Sequence, residues 1–280
     1  MKYDVVIAHR VCPALSVTAV GFSAKLDMVR VAADSLFEAL DGVRAKGHVI
    51  LDGCPAEYED IFLNRNVEVV VERCNAIGNQ ATFQRQVDIL SGVGDAEFVY
   101  FSEDDYVYCA EAFREMMACM RKDGVDFVTP LDHPDRYSHL MHEPEVARVM
   151  VSGGRHWRTV GTTCLTFMTR PDTVRATRRI LETYRKGNLD CTMWLGLTKE
   201  SVFDFPRQLK FLVQFVVFKS VPFSRLIPLA AWKWHGIRLL WRRKYGLWSP
   251  LPTLAEHLSS ASMPLVSFGR FAACSRDNLA

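Results

Sequence analysis

None of the eight cysteines forms a CxxC pair, and their scatter has no spacing of the kind that holds zinc. Isolated thiols, several of them inside apolar runs, are expected to be reduced and mostly buried, as in a cytoplasmic protein. No uninterrupted apolar run reaches the roughly 20 residues that cross a bilayer. Residues 1–10 carry a charge every few positions, which breaks up the apolar core a signal peptide needs, so they are expected to form a first strand. Internal repeats and low-complexity tracts are missing as well. So are acids in one long stretch: residues 205–255 contain no Asp or Glu but nine Lys or Arg. With a whole-chain net charge of +2, the remainder therefore carries −7, and the basic face is regional.

What is present is enough for a full core. The chain has 280 residues, 49% of them hydrophobic and 24% charged, which fits one large domain or a domain with an appendage. Short apolar runs at 5–8, 48–51, 67–71 and 98–101 read as strands. Between and after them, residues 28–40, 83–90 and 110–121 show helical spacing. Such alternation predicts parallel pairing, with a ligand crevice beyond the strand C-termini. Arg10, Asp52 and the acids 103–105 would gather on that rim. Further on, 125–130 and 162–168 read as strands and 172–184 as a helix. The His-rich segment 132–157 reads as a long functional loop with a short helix.

The densest chemistry lies where the fourth strand runs into Glu103, Asp104 and Asp105. Three adjacent carboxylates repel one another and require solvent, protons or a cation. Mg²⁺ or Mn²⁺ with one or two of them and a diphosphate meets that need; a solvated acidic strand cap is the plain alternative.

With that run, the strand ending in Leu51-Asp52-Gly53 and the Gly78-Asn79 that precedes a helix, residues 3–200 resemble the nucleotide-sugar half of GT-A glycosyltransferases, closest to family 2. The resemblance implies a Rossmann-like mixed sheet flanked by helices and a nucleoside diphosphate sugar as donor, with a UDP-sugar favoured. It makes Asp105 the direct ligand of Mn²⁺ or Mg²⁺, with Glu103 and Asp104 near the metal or ribose. Glu103-Asp104-Asp105-Tyr106 departs from a strict D-x-D, which leaves open the oxygen that meets the metal. Further implied roles are Arg10 at the diphosphate or base, Asp52 on the nucleobase, Asn79 facing the nucleotide, and His257 as a late metal ligand. The ordinary alternatives are a turn at Asp52-Gly53, a helix cap at residues 78–80 and a surface histidine at 257.

An inverting transfer needs a general base for the acceptor hydroxyl. By resemblance Asp190, ahead of Trp194, holds that place. An acid alone in an apolar stretch has a raised pKa suited to the role, while a helix N-cap is the other reading. Residues 153–163 place His156 and Arg158 around Trp157, a set able to bind phosphate and stack a sugar face. A structural histidine is the alternative there.

The expected organisation is a GT-A-like domain over 1–204. A basic, aromatic helical region would follow over 205–280, with a C-terminal loop folding back on the site. Aromatic residues interleaved with Lys and Arg suit an anionic membrane surface, ahead of a nucleic-acid backbone. This implies a glycan or lipid-linked acceptor and a peripheral position on the inner membrane face. The rival readings are a nucleotidyltransferase, whose glycine- and Lys/Arg-rich loop is absent from residues 11–21, and a non-catalytic membrane- or nucleic-acid-binding protein on an α/β scaffold.

Overall fold

A computed structural model of the chain describes residues 1–14, 22, 24–143, 145–217, 219 and 222–258. The expected loop at 259–280 lies outside the described residues. Strand β1 (Tyr3–Val11) is buried along nearly its whole length. It pairs in parallel with β2 (Ala45–Asp52), and β2 in turn with β3 (Glu68–Cys74). On its other side β1 pairs in parallel with β4 (Ala96–Glu103). The links are helices α1 (Lys25–Ala39), α2 (Glu57–Asp60) and α3 (Asn79–Ser91).

Beyond β4 the chain forms β5 (Tyr106–Tyr108), α4 (Ala112–Met120), β6 (Phe127–Val128), α5 (Asp135–Ser138), β7 (Val149–Ser152), β8 (Arg155–Thr159) and β9 (Phe167–Thr169). Helices α6 (Pro171–Leu181), α7 (Asp190–Thr198), α8 (Phe205–Val216), α9 (Ile227–His235) and α10 (Arg238–Trp241) follow, then β10 (Leu247–Leu251) and β11 (Ala255–His257). The large sheet runs β3-β2-β1-β4-β9-β6-β10-β8-β7. Strand β9 is antiparallel to both β4 and β6, so the parallel half passes into a mixed half. This is the mixed α/β, Rossmann-like architecture expected. The sheet also crosses the expected boundary at 204, because β10 lies between β6 and β8. Among the described residues no helix is long and apolar enough to cross a membrane.

Alternate residues of the central strands feed two cores, as the two-residue period of a strand requires. Val5, Ile7, Phe98 and Tyr100 pack with α1 and α4 through Val29, Leu36, Phe113 and Met116. Val6, Ala8, Val99 and Phe101 pack on the other face with Phe83, Val87, Val174 and Trp194. Phe101 stacks on Phe167 at 4.4 Å between centroids, joining β4 to β9.

Helix α3 starts four residues before the expected 83, at Asn79. Gly78 turns the chain at φ +87°, a conformation open to glycine, and the Asp52 carboxylate holds the turn by accepting from the N–H groups of Ile77 and Gly78 at 2.7 and 2.8 Å. The segment 132–157 also differs from the expected loop. Its second half is the β7–β8 hairpin, turned at Gly153 with φ +59°. Trp157, expected to stack on a sugar, is fully buried in the core, its indole N–H donating to Ser152 O at 3.2 Å. Only Trp157 is apolar in the run 155–159, so the strand alternation was hidden by charge.

Candidate active site

Parallel pairing brings the ends of β1, β2 and β4 to one rim, with Arg10 directly across from Glu103 in the register. Arg10 Nη2 donates to Glu103 Oε1 at 2.5 Å, and Thr166 Oγ1 donates to Oε2 at 3.0 Å. Arg10 Nη1 turns the other way, to the Asn79 carbonyl at 2.9 Å and to its side-chain oxygen. The Asn79 amide then donates to Tyr184 Oη at 3.1 Å. Arg10, Glu103 and Asn79 thus form one connected edge, and Tyr184 and Thr166 are members that the sequence did not single out.

Asp104 is held differently. Lys25 Nζ donates to Oδ1 at 2.8 Å and the Cys12 N–H to Oδ2 at 2.9 Å, with Asp104 only 6% exposed. Burial lifts its carboxyl to about 6 against the pull of Lys25. The side chain expected near ribose or metal therefore ties the end of β1 and the start of α1 to the tip of β4. Lys25 lies three residues ahead of the helix expected from 28 and was not singled out in the sequence.

Asp105 meets His257 from β11, Nε2 lying 3.0 Å from Oδ2. Antiparallel pairing of β11 with β5, His257 opposite Tyr106, delivers the imidazole there. Burial opposes the charge on both groups, yet each favours the ionised form of the other: His257 is raised, and Asp105 falls below the usual carboxylate range. The three adjacent acids thus find counter-charges inside the protein, in Arg10, Lys25 and His257.

Asp105 Oδ1 is buried with no hydrogen-bond partner among the described residues. A buried carboxylate oxygen left unpaired is costly; such an oxygen suits Mn²⁺ or Mg²⁺, and of the two Mn²⁺ better accepts the imidazole beside it. Among the described residues no three His, Cys, Asp or Glu side chains converge to hold a metal, so these two would need oxygens from a ligand or water.

Asp190 is the first residue of α7, and Leu189 occupies the cap position. Its Oδ1 accepts from the Cys191 N–H at 2.6 Å. Burial raises its pKa, as do the negative charges of Glu103 and Asp135. Asp52, in contrast, is 5% exposed with both oxygens engaged by the 77–78 turn.

His156 and Arg158 do not join the acids. His156 is exposed on β8. Arg158 donates to Asp132 Oδ1 at 2.6 Å and lies 4.6 Å from the Tyr137 ring centroid, while the Tyr137 hydroxyl also donates to Asp132. This polar group continues through His133, Asp135 and His142, with His133 Nδ1 2.7 Å from Asp135 Oδ1. Asp135 and His133 of this group act electrostatically on Asp190.

No protein-family model matches the chain, and no curated protein is significantly similar to it. Solved structures do match. One is the galactosyltransferase LgtC in complex with donor and acceptor sugar analogs, 10% identical, covering 81% of this chain and 69% of that one at a TM-score of 0.36. A second is the CMP:2-keto-3-deoxy-manno-octonic acid synthetase complexed with CTP, 15% identical, covering 65% and 82% at 0.37. A third is glucosyl-3-phosphoglycerate synthase from Mycobacterium tuberculosis in complex with Mn²⁺, UDP and phosphoglyceric acid, 10% identical, covering 61% and 56% at 0.39. These are weak likenesses of fold.

Proposed function

We propose that this protein transfers a sugar from a nucleoside diphosphate sugar, a UDP-sugar by preference, to an acceptor hydroxyl with inversion at the anomeric carbon. The observation that carries this reading is the acidic tip of β4, where Asp105 keeps one buried oxygen without a partner among the described residues, beside His257. Arg10, on the same rim, offers positive charge to a diphosphate, and Asn79 and Tyr184 line the edge along which a nucleoside would lie. Asp52 acts by holding the 77–78 turn against that edge.

Asp105 and His257 are the residues proposed to hold Mn²⁺ or Mg²⁺, which when bound neutralises charge on the departing diphosphate. Asp190 takes the proton from the acceptor hydroxyl as its oxygen bonds to the anomeric carbon and the bond to the diphosphate breaks. A carboxyl raised by burial suits that step near neutrality.

The donor site is proposed to belong to residues 1–204 together with His257, which β11 returns to it, and the helices from 205 to 241 to serve the acceptor. Phe205, Leu209, Val216 and Trp241 are all more than half exposed among basic residues, a composition that suits a lipid-linked glycan at an anionic membrane surface. Sugar-nucleotide hydrolysis across a donor panel, with and without Mn²⁺, tests the assignment. Metal-dependent release of one nucleoside diphosphate is expected; silence across the panel, with no stabilisation by UDP and Mn²⁺, overturns it.

A further inference from the structure

A second concave, charged feature lies away from the carboxylates, between α6, the turn at Tyr184–Lys186 and the helices α9 and α10. It is a cavity of about 380 Å³ lined by Arg179, Lys186, Arg238, Arg242 and Trp234. Arg179 and Arg242 also line an adjoining cavity of about 350 Å³ with Arg175, Arg243 and Tyr245, which makes one continuous basic groove.

Its cations are poorly compensated. Arg175 is held by Asp172 and Arg243 by Asp126, but Arg179, Lys186, Arg238 and Arg242 make no ion pair among the described residues. The one acid in the lining, Glu182, accepts from Arg178 Nε at 2.7 Å. Arg238 and Arg242, one turn apart at α10, face Arg179 of α6. Burial and the charges of Arg238 and Arg179 together disfavour the Arg242 cation. Like charges gathered in a groove cost energy until an anion enters, and planar guanidiniums match phosphate oxygens in pairs. Next to them, Ile237 and Trp241 are 64% and 74% exposed at the rim.

We propose that this groove is a binding site for a phosphate group, held by Arg179, Arg238 and Arg242 with Lys186 and Trp234 as its walls. The site is separate from the donor site and does not rest on the glycosyl-transfer reading. A lipid headgroup and a free phosphate compound present the same chemistry to it.

The test uses the full chain and an Arg179→Gln/Arg242→Gln variant, both substitutions being on exposed or half-buried side chains. Pyrophosphate binding without divalent ions is followed by calorimetry, and flotation is compared on vesicles of phosphatidylglycerol and of phosphatidylcholine. Wild-type protein is expected to bind at least one of the two anionic probes, and the variant to bind it at least ten-fold more weakly with an unchanged melting temperature. Capture by phosphatidylglycerol vesicles, reversed by pyrophosphate, assigns the site to headgroups; binding of pyrophosphate alone assigns it to a free phosphate. Equal binding by variant and wild type, or no binding of either probe by wild type, overturns the site. Should Gln at both positions unfold the chain, Arg238→Gln alone, at an exposed position, serves in its place with the same criterion. Loss of sugar-nucleotide hydrolysis in Asp105→Ala, by contrast, leaves this comparison untouched.

Discussion

His257 and Asp105 sit 3.0 Å apart, so the last strand described is latched to the acidic tip of β4. If that latch also holds the metal, Asp105→Asn and His257→Ala should each weaken Mn²⁺ binding in the presence of UDP by roughly 10- to 100-fold. Donor hydrolysis should fall in parallel. Calorimetric titration with Mn²⁺ reads the first effect independently of turnover, and unchanged binding in both variants would remove the metal assignment.

Asp190 should behave as a base and not as a fold element. Asp190→Asn is expected to lower kcat by about 10²- to 10⁴-fold with KM for the donor little changed. Because its pKa is raised above 3.8 by burial, wild-type kcat should climb with pH through an acidic limb. That limb should vanish from the residual rate of the variant; its persistence would move the base elsewhere.

The Lys25–Asp104 pair is almost wholly enclosed, with side chains 7% and 9% exposed. Lys25→Met leaves a buried carboxyl without its cation and should cost about 3–5 kcal/mol in urea unfolding at pH 7. Joint replacement by Lys25→Met and Asp104→Leu should recover a large part of that loss. A single variant as stable as wild type would show the pair to be dispensable.

His9 is buried beside Ser102, Nδ1 to Oγ 2.9 Å, and burial lowers its pKa from 6.5 to about 3. The unfolded chain therefore takes up a proton below pH 6.5 that the folded chain refuses until about pH 3. This contribution to stability is complete above pH 6.5 and shrinks on acidification, by at most about 1.4 kcal/mol per pH unit. Denaturation midpoints between pH 7 and 4 should show the slope, and His9→Gln should flatten it whatever its own stability.

Two neighbours on β8 should respond in opposite ways. Trp157→Ala opens the core and is expected to destabilise by about 3–5 kcal/mol. His156→Ala, at an exposed position, should stay within about 0.5 kcal/mol and leave donor hydrolysis unchanged. A loss of activity in the second without a loss of stability would return His156 to the site.

The parallel half of the sheet was legible because each of its strands is a short apolar run, and those at 5–8, 67–71 and 98–101 are followed by a helical period, a pattern local to the chain. Arg10 and Glu103 could be placed on one rim for the same reason: they end adjacent parallel strands. The rest depended on pairings between distant segments. Lys25 resembles any helix-opening lysine until α1 docks it on Asp104, and nothing near Thr166 or Tyr184 announces a partner in Glu103 or Asn79. The hairpin at 149–159 was missed because its pattern runs against the usual alternation, with Val149 and Val151 exposed and Arg155 buried, and because Trp157 read as a ligand-stacking ring. The basic groove is split between 175–186 and 234–243, so the sequence showed its charge and not its concavity.

The position of β10 bears on how the chain is made. Among the described residues the hairpin β7–β8 joins the rest of the sheet only through β10, and β10 is synthesised about ninety residues after it. During translation the β3-β2-β1-β4 quartet can close as soon as it leaves the ribosome, whereas the hairpin must wait with an open edge until residue 251 emerges. A chain halted before residue 251 would display that edge to any neighbouring strand, so the late arrival of β10 sets how long this sheet is open to wrong pairing.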